Sequence, residues 1–241
     1  MPGERTRPAR TRNAEAATAV LHRRSRPAPA PMPDPSFWDD RYAEPGWAYG
    51  EAPNAFVASQ ADRFPPGAAV VELGAGEGRN AAFLARRGCR VTAVDASAGG
   101  LAKVGRLPGG DAVETVEADV TAWAPDRQWD GAVATFLHLP PDARPALYRL
   151  LQRLVRPGGV VVAEWYRPEH RARGLQGGPP AAELMVAPAE LAAHFAEADT
   201  VLLEAADVDL DEGRYHRGPS AVVWLVWERP GAAVSARPRG A

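Results

Sequence analysis

The chain has 241 residues, of which 46% are apolar, and a formal net charge of −2 at pH 7. This length and composition suit one domain with a substantial core, and they exclude a membrane-spanning helix because no apolar run approaches ~18 residues. Cys89 is the single cysteine, so an internal disulfide is excluded as well, and a cytoplasmic protein without a metal site is expected.

The first 35 residues differ in composition from the rest of the chain. They contain seven arginines against three acidic residues and end in a Pro/Ala-rich run, a composition that does not pack into a core. We expect residues 1–35 and 231–241 to be disordered flanks of a domain at 36–230. The leader lacks the apolar stretch of a secretory signal; an organelle transit peptide and a translation start at Met32 both fit it.

The domain at 36–230 is acidic once the flanks are set aside. The flanks hold nine of the 28 basic residues and three of the 30 acidic ones, which leaves 19 basic and 27 acidic residues. Nucleic-acid binding depends on clustered Lys and Arg, so no nucleic-acid partner is expected. No membrane partner is expected either, and we predict a monomer or homodimer.

The domain opens with an aromatic segment, FWDDRYAEPGWAYG at residues 37–50, which holds five aromatic side chains. We predict that this aromatic segment forms a lid over a ligand, where its rings could also attract a cation. An amphipathic helix that docks on the core is the alternative.

From residue 68 onward, short β-type runs alternate with helix-type patterns, which is typical of a doubly wound α/β sheet. The predicted strands are residues 68–73, 89–95, 112–119, 129–137, 159–165, 200–210 and 220–228. The last two are separated by too few residues for a crossover helix, so they should pair antiparallel. The prediction is a seven-stranded sheet of five parallel strands and a C-terminal antiparallel hairpin, with a cofactor-binding core at about 68–165.

Helices are predicted between these strands. A short, Gly-rich helix is expected at 97–110, and Asp142 is the predicted N-cap of a longer helix that ends before residues 157–159. Another helix is predicted near residues 189–198, with Pro188 in its first turn.

Three glycines follow the first strand in the stretch VVELGAGEGR, residues 70–79. A dinucleotide-binding loop reads G-x-G-x-x-G, but here the third glycine comes one residue early, and the G-K-[ST] ending of a phosphate loop is missing. Glu72 and Glu77 also place negative charge where phosphates would lie. A ligand with a cationic group and a ribose but no phosphate fits better, and S-adenosylmethionine is such a ligand.

Two carboxylates at later strand ends support this interpretation. Asp95 ends the second predicted strand, where it can accept hydrogen bonds from both ribose hydroxyls, and Asp119 ends the third, where it can accept from the adenine amino group beside Val120. The alternative is that both are ordinary turn formers. The predicted cofactor contacts are Trp38, Arg41, Tyr49, Glu72, Gly74, Ala75, Gly76, Gly78, Asp95, Ala96, Asp119, Val120 and Thr135.

The motifs ELGAGEG, VDAS, EADV and LVRPGG together resemble those of a class I S-adenosylmethionine-dependent methyltransferase. The resemblance covers residues ~37–229 and implies a Rossmann-like methyltransferase fold. More narrowly, the aromatic segment, ATFLHLPP, GGVVVAEWYRP and EGRYHRGPSAVVWLV resemble the small bacterial enzymes grouped with the tellurite-resistance and thiopurine methyltransferases.

Three residues are candidates for catalysis. His138 follows the fourth predicted strand, at the edge of the sheet where acceptors bind, although a lining role suits it equally. His216 and Arg217 lie in the hairpin connection, and the family resemblance implies that a His and an Arg in this region assist methyl transfer. A turn histidine without a function is the alternative for His216.

These observations predict an S-adenosylmethionine-dependent methyltransferase whose acceptor is a small molecule: a thiol, a chalcogen oxyanion or a small metabolite. Methyl transfer is an in-line displacement that depends on positioning, and a general base is needed only if the acceptor loses a proton. The alternatives are a nicotinamide-dependent oxidoreductase and a non-catalytic S-adenosylmethionine-binding module that regulates a partner.

Overall fold

The structure, a computed structural model, describes residues 35–195 and 200–231. The two flanks predicted from composition lie almost entirely outside these residues, so the leader, the tail and the domain boundaries stay predictions. None of the helices in the described ranges is long and apolar enough to cross a membrane.

The described residues form a seven-stranded sheet with the order β3-β2-β1-β4-β5-β7-β6. Its strands are β1 (Ala69–Leu73), β2 (Arg90–Asp95), β3 (Glu114–Glu117), β4 (Trp129–Thr135), β5 (Val155–Tyr166), β6 (Thr200–Glu212) and β7 (His216–Glu228). Strands β1 to β5 pair in parallel, whereas β7 pairs antiparallel with both β5 and β6. The predicted fold class, five parallel strands with a C-terminal antiparallel hairpin, is confirmed.

Helices cover both faces of this sheet. In the described ranges they are α1 (Pro35–Ala43), α2 (Ala55–Ser59), α3 (Arg79–Arg86), α4 (Ala98–Val104), α5 (Arg144–Leu154), α6 (Pro168–Ala172) and α7 (Pro188–His194), with three short 3₁₀ helices. Alternate residues of each strand point to opposite faces, so Val70 packs with α2, α3 and α4 while Val71 packs with α5 and α7.

Several element boundaries differ from the sequence prediction. Strand β3 ends at Glu117, two residues before Asp119. The N-cap of α5 is Ala143, because the carbonyl of Pro140 accepts hydrogen bonds from the Ala143 and Arg144 amides and forms a turn there. The prediction that Asp142 caps this helix is therefore wrong. Helix α7 begins at Pro188 as predicted, and residues 196–199 lie outside the described ranges.

Candidate functional site

The glycine loop, residues 74–78, connects β1 to α3 at the carboxyl edge of the sheet. Gly74, Gly76 and Gly78 have φ angles of +67°, +54° and +81°, a region that side chains rarely adopt. The loop is fixed to β2, because the Gly74 amide donates to the carbonyl of Val94 at 2.9 Å. Glycine at these positions is therefore required by the backbone path itself.

Asp95 holds the glycine loop from the end of β2. Its carboxylate accepts hydrogen bonds from the Gly76 amide at 2.7 Å and from the Ser97 amide at 2.9 Å. The side chain is only 9% exposed, and burial raises its pKa. A carboxylate has about four acceptor positions, so Asp95 retains capacity for ligand hydroxyls beside Ala96 and the loop.

The aromatic segment lies directly against the glycine loop. Tyr42 is buried, and a Cβ placed on Gly76 would come within 2.6 Å of the Tyr42 hydroxyl. Trp38 stacks on Tyr42 with ring centroids 6.2 Å apart. Asp39 anchors α1 by accepting from the Gly99 amide at 3.1 Å. The segment thus docks on the loop, as the alternative predicted, and its role as a lid over a ligand stays a prediction.

Arg41 and Tyr49 form the outer part of this cover. Arg41 Nη1 donates to the Tyr49 hydroxyl at 3.0 Å, and its guanidinium lies 4.1 Å from the centre of the Tyr215 ring. Arg41 makes no salt bridge with any residue in the described ranges. Its contact with a cofactor carboxylate stays a prediction.

Glu77 clamps the aromatic segment onto the loop. One oxygen accepts from the Ala48 amide at 2.8 Å, and the other pairs with Lys103 Nζ at 2.7 Å. The sequence interpretation treated Glu77 as free negative charge facing a ligand. In the structure that charge is neutralised by the single lysine of the chain, so Glu77 has a structural role.

Glu72 lies at the base of the site, fully buried in β1. Its Oε1 accepts from Asn80 Nδ2 at 2.8 Å, whereas Oε2 has no hydrogen-bond partner among the described residues. Burial raises the pKa of Glu72 to about 7, against the opposing hydrogen bond of Asn80. Thr135, at the end of β4, accepts from the same Asn80 amide at 3.1 Å. The unpartnered oxygen is a ready acceptor for a cationic group.

The pKa of Glu72 predicts a pH-dependent stability. A carboxyl with a raised folded-state pKa stabilises the fold fully below its unfolded pKa, and this contribution is lost as the pH rises through about 7. We expect the Tm of the wild type to be lower at pH 8 than at pH 5.5. In the Glu72→Gln variant, this decrease in Tm should be smaller by at least about 3 °C. Thermal unfolding at both pH values measures this; equal losses in the two proteins would contradict it.

Asn54 connects this site to a second buried group of charges. Its backbone amide donates to Asn80 Oδ1 at 2.8 Å, and its side-chain amide donates to Glu212 at 3.1 Å and also to Glu164. Arg79 Nη2 pairs with Glu212 at 2.6 Å. Sequence reasoning missed these residues, because nothing in their local patterns distinguishes a buried polar side chain from an exposed one.

Asp119 lies elsewhere than predicted. It is exposed beyond the end of β3 and accepts from both the amide and the hydroxyl of Thr121 at 2.8 Å. The premise that Asp119 closes the third strand is wrong, because β3 ends at Glu117 and Asp119 begins the following turn, where its carbonyl accepts from the Ala122 and Trp123 amides. Its geometry is that of a turn former, while the buried Val120 packs into the core. Their contact with adenine stays a prediction.

Aromatic rings and two histidines form the far end of the site, which we call the rim cluster: Phe136, His138, Tyr166 and His216. Tyr166 is central, with ring centroids 4.8 Å from Phe136, 5.8 Å from His138 and 5.6 Å from His216. The Tyr166 hydroxyl and His138 Nε2 are buried atoms without hydrogen-bond partners among the described residues. Since the Leu184 carbonyl accepts from His138 Nδ1 at 3.0 Å, Nε2 carries the lone pair.

Phe136 enters this cluster with a strained backbone. Its φ of +54° is the one positive value at a non-glycine residue in the described ranges, and such a conformation costs about 1–3 kcal/mol. The strain places the Phe136 ring 4.2 Å from His216. Residues held this way cluster at functional sites.

Arg217 does not join the rim cluster. Neighbouring strand residues point to opposite faces, so Arg217 lies outside while His216 lies inside. Its side chain is 71% exposed and approaches Asp211 at 3.6 Å. A role of Arg217 in methyl transfer stays a prediction.

The sheet order and the glycine loop at the end of β1 define the class I methyltransferase fold. Residues 70–159 match the family model of a methyltransferase domain. The match and the fold together confirm the predicted resemblance to the class I S-adenosylmethionine-dependent methyltransferases. The narrower resemblance to the tellurite-resistance group stays a prediction.

Three known proteins illustrate the similarity. Trans-aconitate 2-methyltransferase of Azoarcus sp. (strain BH72) is 38% identical over 143 residues, or 53% of this chain and 54% of that protein. TehB of Haemophilus influenzae superposes with a TM-score of 0.61 at 18% identity, over 73% of this chain and 62% of that one. The DhpI–SAH complex gives 0.51 at 26% identity, over 82% and 95%. The chain spans about half the length of the curated relatives it matches.

Proposed function

We propose that this protein transfers a methyl group from S-adenosylmethionine to a small-molecule acceptor. The observation that carries the proposal is the contact between the glycine loop and Asp95. The loop amide of Gly76 bonds to Asp95 at 2.7 Å, and this buried carboxylate beside the loop supports the binding of a ribose diol there. The sulfonium would supply the methyl group, held between the glycine loop, Glu72 and the aromatic segment.

The chemistry of the site supports this cofactor over a phosphate-bearing one. Glu72 offers an unpartnered oxygen. Lys103, the single lysine of the chain, is already paired with Glu77. A pyrophosphate at the loop would lie beside the carboxyl groups of Glu72 and Asp95, and Lys103 is not free to offset them. A nicotinamide-dependent oxidoreductase is therefore disfavoured. The presence of His138, Tyr166 and His216 in the rim cluster gives little reason to prefer a non-catalytic binding module.

Binding measurements test this proposal directly. We expect S-adenosylmethionine and S-adenosylhomocysteine to raise the Tm of the protein, because a ligand that binds only the folded state stabilises it. NADH should leave the Tm unchanged. Stabilisation by NADH and not by S-adenosylhomocysteine would refute the proposed function.

The acceptor is proposed only as a class. A thiol, a chalcogen oxyanion or a small metabolite remains compatible with the predicted family, and the name of the Azoarcus relative points to a small acid as that enzyme's acceptor. Transfer of a labelled methyl group to a panel of thiols, selenite, tellurite and small aromatic metabolites would identify the acceptor.

A further inference from the structure

Glu212 and His216 face each other across the turn between β6 and β7. They are paired in the strand register, and both side chains are buried, at 8% and 9% exposure. His216 Nδ1 lies 3.8 Å from Glu212 Oε2, too far for a hydrogen bond. A small ring movement would bring the two atoms into hydrogen-bond contact.

The Glu212 carboxylate is held in place from three other directions. Arg79 Nη2 donates to it at 2.6 Å, Asn54 Nδ2 at 3.1 Å and the Ala55 amide at 3.2 Å. Burial acts to raise the pKa of Glu212, but His216 and Arg79 outweigh burial and lower it to about 2. Glu212 is therefore an ionised, fixed carboxylate directed at one nitrogen of His216.

This arrangement determines the proton position on His216. In a neutral imidazole one nitrogen donates and the other accepts. Because Nδ1 faces a carboxylate, the proton belongs on Nδ1 and the lone pair on Nε2. Burial lowers the pKa of His216 to about 4, with Glu212 acting in the opposite direction. The ring is thus neutral at pH 7 and able to take a proton.

Charged and aromatic groups from several elements surround His216. Besides Glu212 on β6, it faces Arg79 of α3, Arg41 of α1 and Tyr49 of the aromatic segment. Tyr166 and Phe136 pack on it from β5 and the end of β4.

Both facing cations have a partner within the chain. Arg79 is paired with Glu212, and Arg41 donates to Tyr49. Arg79 Nη1 has no hydrogen-bond partner among the described residues, so it can still donate to an acceptor. The lone pair on His216 Nε2 can take a proton only from an acceptor that carries one. The donor group of such an acceptor can also bond to the unpartnered atoms of the cluster.

We propose that Glu212 orients His216 as the proton acceptor for a methyl acceptor that carries an O–H, N–H or S–H group. The inference rests on the proposed function. As the acceptor atom forms its bond to the methyl carbon, the S–C bond of the sulfonium breaks and the sulfur keeps that electron pair. The proton of the acceptor passes to Nε2 of His216 and later to water. Glu212 is a positioning residue in this scheme.

The first test is the tautomer of His216 in the full chain with bound S-adenosylhomocysteine. Nitrogen-15 NMR distinguishes the two tautomers, and the His216→Gln variant assigns the signal. We expect the Nδ1–H form in the wild type and in Asp211→Asn, a matched control that removes an exposed carboxylate one residue away. In Glu212→Gln the preference should be lost. An Nε2–H form in the wild type would overturn the inference, even if Glu212→Gln does not fold.

The second test addresses the acceptor. Small phenols, thiols and N–H heterocycles should shift the His216 signals at millimolar concentration, and their O-, S- or N-methylated counterparts, which lack that proton, should shift them less. Equal shifts from the methylated counterparts, or none from the compounds with the proton, would overturn the acceptor class. For any acceptor that is methylated, kcat should fall about 10²-fold in Glu212→Gln and stay unchanged in Asp211→Asn, with the KM for S-adenosylmethionine unaltered. Equal kcat in both variants would refute the role of Glu212.

These outcomes are separable from those of the proposed function. If S-adenosylhomocysteine does not bind the wild type, the proposed function fails. The tautomer of His216, measured then on the unliganded chain, still reports whether Glu212 orients the ring.

Discussion

Replacement of Gly76 by alanine is expected to lower the affinity for S-adenosylhomocysteine at least about 10-fold. The φ of +54° at Gly76 costs an alanine about 1–2 kcal/mol. In addition, the new Cβ would lie 2.6 Å from the Tyr42 hydroxyl, closer than van der Waals contact allows. Tyr42 or the loop must then move, and the Gly76 amide moves away from Asp95 with it. Isothermal titration calorimetry of the variant measures this loss.

Gly67→Ala is the matched control for this substitution. Gly67 has a similarly unfavourable φ of +87°, but a Cβ there would meet no atom within 4 Å. Both variants should lose stability from backbone strain, whereas only Gly76→Ala should lose cofactor affinity. An unchanged affinity in Gly76→Ala would mean that the loop does not contact the cofactor.

Replacement of Asp95 by alanine is expected to weaken S-adenosylhomocysteine binding by about 1–3 kcal/mol, the cost of leaving ribose hydroxyls unpaired. The same change leaves the amides of Gly76 and Ser97 without their acceptor, so the Tm should fall as well. Calorimetry at a temperature well below the Tm separates the two effects, because it measures affinity on folded protein.

Asp119→Ala is the informative comparison for Asp95. Asp119 is exposed and bonded to Thr121, so its loss should disturb one turn and leave the folded core intact. A larger loss of affinity in Asp119→Ala than in Asp95→Ala would show that the ribose has been assigned to the wrong carboxylate.

The fold could be predicted from the sequence because its signals are local. Apolar runs and glycine stops indicated each strand, and the short connection between β6 and β7 allowed only antiparallel pairing. Boundaries were less certain: the turn at Pro140–Ala143 and the early end of β3 depend on backbone hydrogen bonds that the sequence pattern does not display.

The candidate site was predicted only in part, and the division follows the range of the interactions. The glycine loop and Asp95 were found because positive φ values and strand ends leave a mark within a few residues. The role of Arg217 was implied by the family resemblance, which does not show that strand geometry turns Arg217 away from His216.

The sequence by itself determined the fold class, the glycine loop and the position of Asp95, since each depends on residues close together in the chain. The tertiary structure alone decided how the buried polar groups are paired. Asn54 reaches Glu164 and Glu212, 110 and 158 residues away, and Glu77 meets Lys103 rather than a ligand. A buried polar group must find a partner wherever the fold places one, and no local pattern encodes which partner that is.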